Sequence, residues 1–142
     1  MWALHCTGGL SDIIAMETLH EKSEWLRAWT IQLACEDGTP SQGVLDEFLR
    51  LAKDDPSPVV RLYLDSALQR IAIKERWPLL EALAAHGEDA GDHNLPLMLW
   101  FAAEPAVAAD VAKAADLLEK CKIPKVQEFI TRRIAAVAEV TK

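Results

Sequence analysis

Four segments of this chain align with one another without gaps, and this repetition constrains the fold more than any other feature. Each segment has an apolar residue at its fourth position and an aromatic residue at its seventh, and three have proline at the second. They read Ser23-Glu-Trp-Leu-Arg-Ala-Trp29, Ser57-Pro-Val-Val-Arg-Leu-Tyr63, Leu95-Pro-Leu-Met-Leu-Trp-Phe101 and Ile123-Pro-Lys-Val-Gln-Glu-Phe129. Helical patterns that recur at such distances are typical of stacked helical hairpins.

The apolar spacing around these segments predicts four helical pairs, over about 11–35, 41–72, 75–103 and 110–140. Pro105 should end or kink the second helix of the third pair, because proline lacks a backbone N–H. We therefore expect an all-α fold, a right-handed α-α superhelix (solenoid) of about four helical hairpins, forming one domain over 1–142.

The first residues read as the end of a helix that is stopped by Gly8-Gly9. Trp2 and Leu4 look like core residues with nothing before them. The chain is therefore interpreted as a fragment of a longer protein. An end repeat that lost its neighbour would expose apolar surface, so we also expect weak self-association through that end.

The overall charge excludes one class of partner. The chain carries a formal net charge of −7 and has no Lys/Arg run beyond Arg132-Arg133. A general nucleic-acid binder needs a basic face that displaces counterions from phosphates, so no nucleic-acid partner is expected. The apolar runs are too short to span a bilayer, so membrane insertion is not expected either.

The chain has three cysteines, Cys6, Cys35 and Cys121, and no C-x-x-C motif. Each lies in an apolar helical stretch, which predicts buried free thiols that behave as small apolar side chains. Neither a thioredoxin-like redox pair nor a c-type haem site fits this pattern. No cofactor is predicted.

The second pair carries the motif Asp55-Pro-Ser-Pro-Val-Val-Arg61. This motif resembles the HEAT repeats of armadillo-type solenoids, with Asp55 and Arg61 at the family's characteristic Asp and Arg positions. The resemblance implies that such residues tie neighbouring repeats together. It is partial in the first pair, where Arg27 alone matches, and weak in the last two.

A narrower resemblance covers the segment from Arg76 to Trp100, together with Lys122-Ile-Pro-Lys-Val-Gln-Glu-Phe-Ile-Thr-Arg-Arg133. These stretches are similar to the HEAT-like segment of large bacterial cell-envelope proteins. Those proteins join a sugar-dehydrogenase-like β-propeller, HEAT-like repeats and a c-type haem domain. The propeller's cofactor site and the haem motif are absent here, so no catalytic residue carries over. The resemblance implies the cell envelope or periplasm, whereas buried free thiols suit the cytoplasm.

One polar loop concentrates potential metal ligands. Carboxylates suit hard cations, and imidazoles suit Zn²⁺ or Ni²⁺. The EF-hand and H-E-x-x-H spacings are both absent. The alternative is a solvated turn in which Asp92 or Asn94 caps the helix that begins near Pro96. The five candidate ligands are His86, Glu88, Asp89, Asp92 and His93.

Five arginines lie on the second helices of the predicted pairs: Arg27, Arg61, Arg70, Arg132 and Arg133. In a solenoid the second helices tend to line the concave side, so these residues are candidates for binding a polar peptide. The alternative is that they occupy ordinary wet faces and make hydrogen bonds between repeats, where exposed ion pairs contribute little.

The aromatic residues allow two interpretations, a binding surface or a core. Helical spacing favours the core, and Trp25 and Trp77 are the two that we expect to protrude. The set comprises Trp25, Trp29, Tyr63, Trp77, Trp100 and Phe101.

No arrangement of nucleophile and base stands out, because the serines at helix starts are explained by capping. The sequence therefore predicts a non-catalytic protein-interaction scaffold or rigid spacer, whose partners are other proteins or flanking domains of the same chain. The alternatives are a compact helical domain that binds a ligand or metal, and a HEAT-like nucleic-acid enzyme, which the acidic charge disfavours.

Overall fold

The computed structural model describes Ala3, Cys6 and residues 11–140, and this part of the chain contains helices and no strand. The all-α prediction is confirmed, whereas the right-handed superhelix stays a prediction. The expectations for Trp2, Leu4 and the Gly8-Gly9 stop lie outside the described residues. The α-helices are α1 (Asp12–Leu19), α2 (Glu24–Ala34), α3 (Gln42–Asp54), α4 (Pro58–Leu68), α5 (Ile73–Ala84), α6 (Leu95–Ala109), α7 (Val111–Lys120) and α8 (Pro124–Val140), and a 3-10 helix covers Gly87–Gly91.

Short polar side chains and proline set most of the helix starts. Ser11, Ser57 and Asp110 each accept a hydrogen bond from a backbone N–H in the first turn of the helix that follows. Ser23 and Ser41 occupy the same position without making that bond. The observed helices therefore fall within a few residues of the predicted pairs, except at the end of α6.

The prediction for Pro105 is wrong as to where the helix ends, because α6 continues through it to Ala109. Proline removes one hydrogen bond, the one its N–H would donate to the carbonyl of Phe101 four residues earlier. Phe101 itself is 55% exposed. The adjacent carbonyl of Ala102 accepts a 3.0 Å bond from Nη1 of the buried Arg76, which supports this part of the helix.

The chain divides into two compact units, Met1–Ala72 and Ile73–Lys142. In the first unit, α1 packs on α2 and α3 packs on α4, which gives two hairpins. The hairpins contact each other in register, α1 against α3 and α2 against α4. Its largest fully buried side chains are Phe48, Leu19, Ile31, Leu51, Leu64, Leu68, Ile71 and Val44.

The second unit repeats this pattern. Here α5 packs on α6 and α7 on α8, while α5 also contacts α7 and α6 contacts α8. Ion pairs join the two hairpins at Lys120–Glu81, with Nζ 2.7 Å from Oε2, and at Arg133–Glu104, with Nε 2.8 Å from Oε1. The backbone N–H of Lys122 also bonds the carbonyl of Ala84 at 2.8 Å, which ties the turn after α7 to the end of α5.

The expectations for single apolar residues were met unevenly. Cys35 and Cys121 are buried, as predicted, but Cys6 is exposed. Trp25 protrudes, as predicted, with 55% of its surface exposed, whereas Trp77 is buried at 7%. The prediction for Trp77 is therefore wrong, and the ammonium of Lys113 lies over its ring, 5.8 Å from the centroid.

Candidate functional site

The junction between the two hairpins of the first unit rests on a forked ion pair. Arg27 of α2 donates from Nε to Oδ2 of Asp55 at 2.7 Å and from Nη2 to Oδ1 at 3.0 Å. Only 11% of the Arg27 side chain and 3% of the Asp55 side chain are exposed. Asp55 Oδ1 also accepts the N–H of Ser57 at 2.9 Å. Bidentate, charge-assisted bonds of this kind fix geometry as well as adding energy.

One type of hydrogen bond, from a side chain to a backbone carbonyl, recurs at three hairpin turns. In each, a side chain near the start of the second helix donates to the carbonyl six residues earlier, where the turn leaves the first helix. The three bonds are Arg27 Nη1 to the Glu21 carbonyl at 2.7 Å, Arg61 Nη1 to the Asp55 carbonyl at 3.1 Å and Gln127 Nε2 to the Cys121 carbonyl at 2.7 Å. The aligned position in the third hairpin is Leu99, which has no side-chain donor.

A second bridge joins the starts of α2 and α4. The hydroxyl of Ser57 donates to Oε2 of Glu24 at 2.5 Å and accepts the N–H of Val60 at 3.4 Å. Ser57 is buried. The two helix starts are therefore joined by Glu24–Ser57 beside the Arg27–Asp55 pair. These two contacts fix the position of α2 against α4 at this end of the unit.

Aromatic rings lie next to these contacts, on α2 and α4. Trp25 and Trp29 are four residues apart and share one side of α2, with 55% and 41% of their surfaces exposed. The Trp29 ring meets the half-buried Tyr63 of α4 at a centroid distance of 6.2 Å and an interplanar angle of 59°. Trp25 borders an open groove of about 590 Å³ with Pro56 and Pro58. We name these five residues the tryptophan surface.

A second groove, of about 380 Å³, lies on the other side of the Arg27–Asp55 pair. Its charged side chains have both signs, and two of them, Arg27 and Asp55, pair with each other. Nε of Arg50 donates to Oε1 of Glu47 at 2.6 Å, and this hydrogen bond raises the pKa of the arginine. Nε2 of His20 lies 3.5 Å from the same carboxylate oxygen.

The five arginines proposed as a binding stripe lie in different settings. Arg27 and Arg61 meet at Asp55, and Arg61 is 4% exposed, so both are committed to the hairpin junction. Arg70 is exposed after the end of α4. On α8 of the second unit, Arg132 pairs with Glu128 one turn away, and Arg133 pairs with Glu104 of α6. Each unit thus uses at least one of these arginines to join its own elements.

Two side chains of the candidate metal loop, those of His86 and Asp92, make contacts with other groups of the protein. Nδ1 of His86 lies 2.6 Å from Oε1 of Glu88. Oδ1 of Asp92 accepts the N–H groups of Leu95 and Asn94 at 2.9 and 2.7 Å, and these bonds lower the pKa of that carboxyl. Asp92 therefore caps α6, as the solvated-turn alternative predicts.

Asp89 is buried and His93 is exposed, so these two candidates lie in different surroundings. Across Ala3, Cys6 and residues 11–140, no three His, Cys, Asp or Glu side chains come together as a metal site. The structure therefore does not gather three or more of the side chains of His86, Glu88, Asp89, Asp92 and His93 into one cluster.

The sequence already held the signal for the tryptophan surface. Trp25 was expected to protrude, and Trp29 follows it by four residues, which places both rings on the same side of one helix. The prediction that Trp29 and Phe101 lie in the core is wrong, because 41% of Trp29 and 55% of Phe101 are exposed. The predicted helical period of α2 is correct. The period alone does not indicate which side of the helix faces solvent.

Comparison with known proteins gives no identification. No protein-family model, no curated protein and no solved structure shows significant similarity to this chain. Among the described residues, no helix has the length and apolar character needed to cross a membrane. The site must therefore be interpreted from its own geometry.

Proposed function

We propose that this chain is a non-catalytic protein-interaction scaffold, built of HEAT-like helical hairpins, that binds its partner through the tryptophan surface. The single observation that carries the proposal is the pair of exposed indoles, Trp25 and Trp29, held on a fixed junction. Aromatic side chains supply large contact areas at a small cost in conformational entropy, and Trp and Tyr dominate the energetics of protein interfaces.

The contacts beneath the surface support binding rather than simple exposure. Arg27–Asp55 and Ser57–Glu24 hold α2 against α4, and Trp29 rests against Tyr63. Rings fixed in this way lose little freedom when a partner binds, so more of the contact energy appears as affinity. Monomeric proteins seldom leave several large apolar side chains exposed together without a binding role.

The HEAT-like part of the proposal is supported by two features. Within each unit, the first helices of the hairpins pack on each other and so do the second helices. The bond from a side chain at the start of the second helix to the turn carbonyl recurs at three turns. Stacked repeats of this kind are stabilised by contacts between neighbouring hairpins.

The test is affinity capture with the whole 142-residue chain as bait and two matched variants. Trp25→Ala/Trp29→Ala removes the surface, and Phe101→Ala removes an equally exposed ring in the second unit. We expect the same protein to be retained by wild type and by Phe101→Ala and to be lost from the double variant. Equal retention by all three baits, or no specific capture by any, would contradict binding at this surface. A rigid spacer between flanking domains would then be the remaining form of the proposal.

A further inference from the structure

The junction inside the first unit is made of two polar contacts that follow a pattern in the sequence. The first hairpin contributes Glu24 and Arg27, which lie three residues apart in the first turn of α2. The second hairpin contributes the carboxylate of Asp55 and the hydroxyl of Ser57, which lie at the turn before α4. One side of the junction therefore has Glu-x-x-Arg, and the other side has an acid two residues before a serine.

The first hairpin also carries an acid two residues before a serine. Glu21 and Ser23 lie 34 positions before Asp55 and Ser57. The backbone supports this equivalence, because the carbonyls of Glu21 and Asp55 each accept an arginine Nη1 from six residues later. Glu21 and Ser23 are exposed. In the part of the chain that the structure describes, the Glu21 carboxylate and the Ser23 hydroxyl make no hydrogen bond or ion pair. Both groups are therefore available to a partner.

The apolar residue at the fourth position of the repeated segments differs in burial in a corresponding way. In the second hairpins of the two units it is Val60 and Val126, and both are 0% exposed. In the first hairpins it is Leu26, which is 39% exposed, and Met98, which is half-buried. The second hairpin of each unit packs on the hairpin that precedes it in the chain. This position is therefore one that a preceding hairpin covers, and Leu26 is left with apolar surface about one turn from Ser23.

We propose that these three residues, Glu21, Ser23 and Leu26, which we name the outer face, bind a helical hairpin of a partner protein. The partner's hairpin carries a glutamate and an arginine three residues apart in the first turn of its second helix, as Glu24 and Arg27 do at the internal junction. Its guanidinium pairs with the carboxylate of Glu21, and its glutamate accepts the hydroxyl of Ser23. The opposite charges give specificity, and the partner continues a stack that already exists within the first unit.

Two other occupants of the outer face lack the required charges. Residues 1–10 contain no Arg, Lys, Asp or Glu, so they supply neither the guanidinium nor the carboxylate. In the last hairpin of a second copy of this chain, Pro124 and Gln127 stand at the positions of Glu24 and Arg27. A copy stacked head to tail on the first hairpin therefore also lacks both charged groups. These differences favour the hairpin of a different protein.

The test supplies a hairpin of this kind as an added copy of residues 11–40. The extended chain runs from 1 to 40 and then from 11 to 142, so Ser11 follows the natural connection in place of Ser41. The Arg27 of the added copy can then pair with Glu21 of the original hairpin. Urea unfolding is measured for the extended chain, for Arg27→Gln in the added copy, for Glu21→Gln in the original hairpin and for the double variant.

Docking of the added hairpin should raise the unfolding midpoint above that of the 142-residue chain. Each single substitution should shift the folding equilibrium about tenfold towards the unfolded state, and the double variant should lose no more than either one, as for two groups in contact. The matched control is Glu21→Gln in the 142-residue chain, where the shift should stay within about twofold. Additive losses, or an added hairpin that trypsin removes while the original residues stay intact, would overturn the proposal.

Sedimentation velocity of the 142-residue chain tests a second copy as the occupant. We expect no self-association that depends on Glu21. A dimer that Glu21→Arg abolishes would overturn the partner's hairpin and assign the outer face to contacts between copies of this chain. Trp25 and Trp29 are not part of the outer face, so the capture experiment decides the proposed function separately.

Discussion

Arg27 and Asp55 lie 28 residues apart in the sequence and meet through two hydrogen bonds of 2.7 and 3.0 Å. The pair joins the second helix of one hairpin to the turn of the next. It also positions Trp29 beside Tyr63, because both rings are carried by the helices that the pair holds together. The stability of the first unit and the shape of its tryptophan surface therefore depend on one contact.

Replacing Asp55 by alanine should destabilise the first unit by about 3 kcal/mol, because it leaves the largely buried guanidinium of Arg27 without its counter-ion. The neighbouring Asp54 is exposed and provides the control, since Asp54→Ala should change stability by less than about 0.5 kcal/mol. Urea unfolding of the three proteins measures both values. Equal midpoints for Asp55→Ala and Asp54→Ala would contradict the role given to the pair.

Arg27→Gln should lose less stability than Arg27→Ala. Glutamine makes the bond to the turn carbonyl at the equivalent position in the last hairpin, where Gln127 donates to Cys121. The variant keeps that bond and loses the fork to Asp55, so we expect a gap of about 1 kcal/mol between the two variants. Urea midpoints provide the comparison, and identical midpoints would show that the carbonyl bond adds nothing.

Gly87 and Gly91 occupy the same 3-10 helix but differ in the space around them. A Cβ at Gly87 would lie 3.3 Å from Cβ of Lys122, whose backbone is held by the bond to Ala84, whereas a Cβ at Gly91 would meet nothing within 4 Å. We expect Gly87→Ala to destabilise the second unit by about 1 kcal/mol. Gly91→Ala should be neutral or slightly stabilising, because alanine lowers the entropy of the unfolded chain.

Thermal denaturation of the two glycine variants tests this difference. The expected result is a lower unfolding temperature for Gly87→Ala alone. The same loss in both variants would mean that the 3-10 helix itself, and not the contact with Lys122, disfavours a side chain.

The three thiols should differ in reactivity. Cys6 is exposed, whereas Cys35 and Cys121 are buried and burial raises the pKa of both. The thiolate is the reactive form, so iodoacetamide at pH 8 should modify Cys6 alone in the folded protein. Intact mass should show a single adduct, none in Cys6→Ser and three on wild type in denaturant. Two or more adducts on the folded protein would contradict the burial of Cys35 or Cys121.

Cys35 should also make stability depend on alkaline pH. Burial raises its pKa from 9.0 to about 12, although Arg70 opposes part of the shift. The folded state thus favours the protonated thiol, so this contribution is complete below pH 9 and is lost as the pH rises from 9 towards 12. The expected slope is about 1.4 kcal/mol per pH unit.

The measurement for this slope is urea unfolding at intervals between pH 9 and 11, for wild type and Cys35→Ala. The alanine variant has no thiol at this position, so its stability should fall less steeply, even if its starting value is lower. Parallel curves for the two proteins would mean that Cys35 does not titrate differently in the folded state.

Helix positions were predictable from the sequence because apolar period, capping serines and prolines all indicated the same boundaries. Pro105 shows the limit of such local signals. A proline inside a helix removes one hydrogen bond, and α6 continues past this loss where Phe101 is exposed and Arg76 bonds the adjacent carbonyl of Ala102. Those compensations come from packing and are not encoded within the segment itself.

The aromatic positions show a second limit. The alignment placed Phe101 and Phe129 in equivalent positions, yet the ring that contacts Phe129 is Trp100, at 5.4 Å between centroids. Helical period alone does not decide which of two adjacent rings faces inward, because each is 100° from the next around the axis. Trp77 was misassigned for a related reason, since its covering residue, Lys113, is 36 positions away.

The contact between Trp29 and Tyr63 has an optical consequence. The chain contains a single tyrosine, and its ring centre is 6.2 Å from an indole of the neighbouring hairpin. At that separation, light absorbed by the phenol is transferred to the tryptophan, so the folded protein should emit almost no tyrosine fluorescence. The appearance of tyrosine emission would then signal that these two hairpins have come apart, and the native chain would report this event without any attached dye.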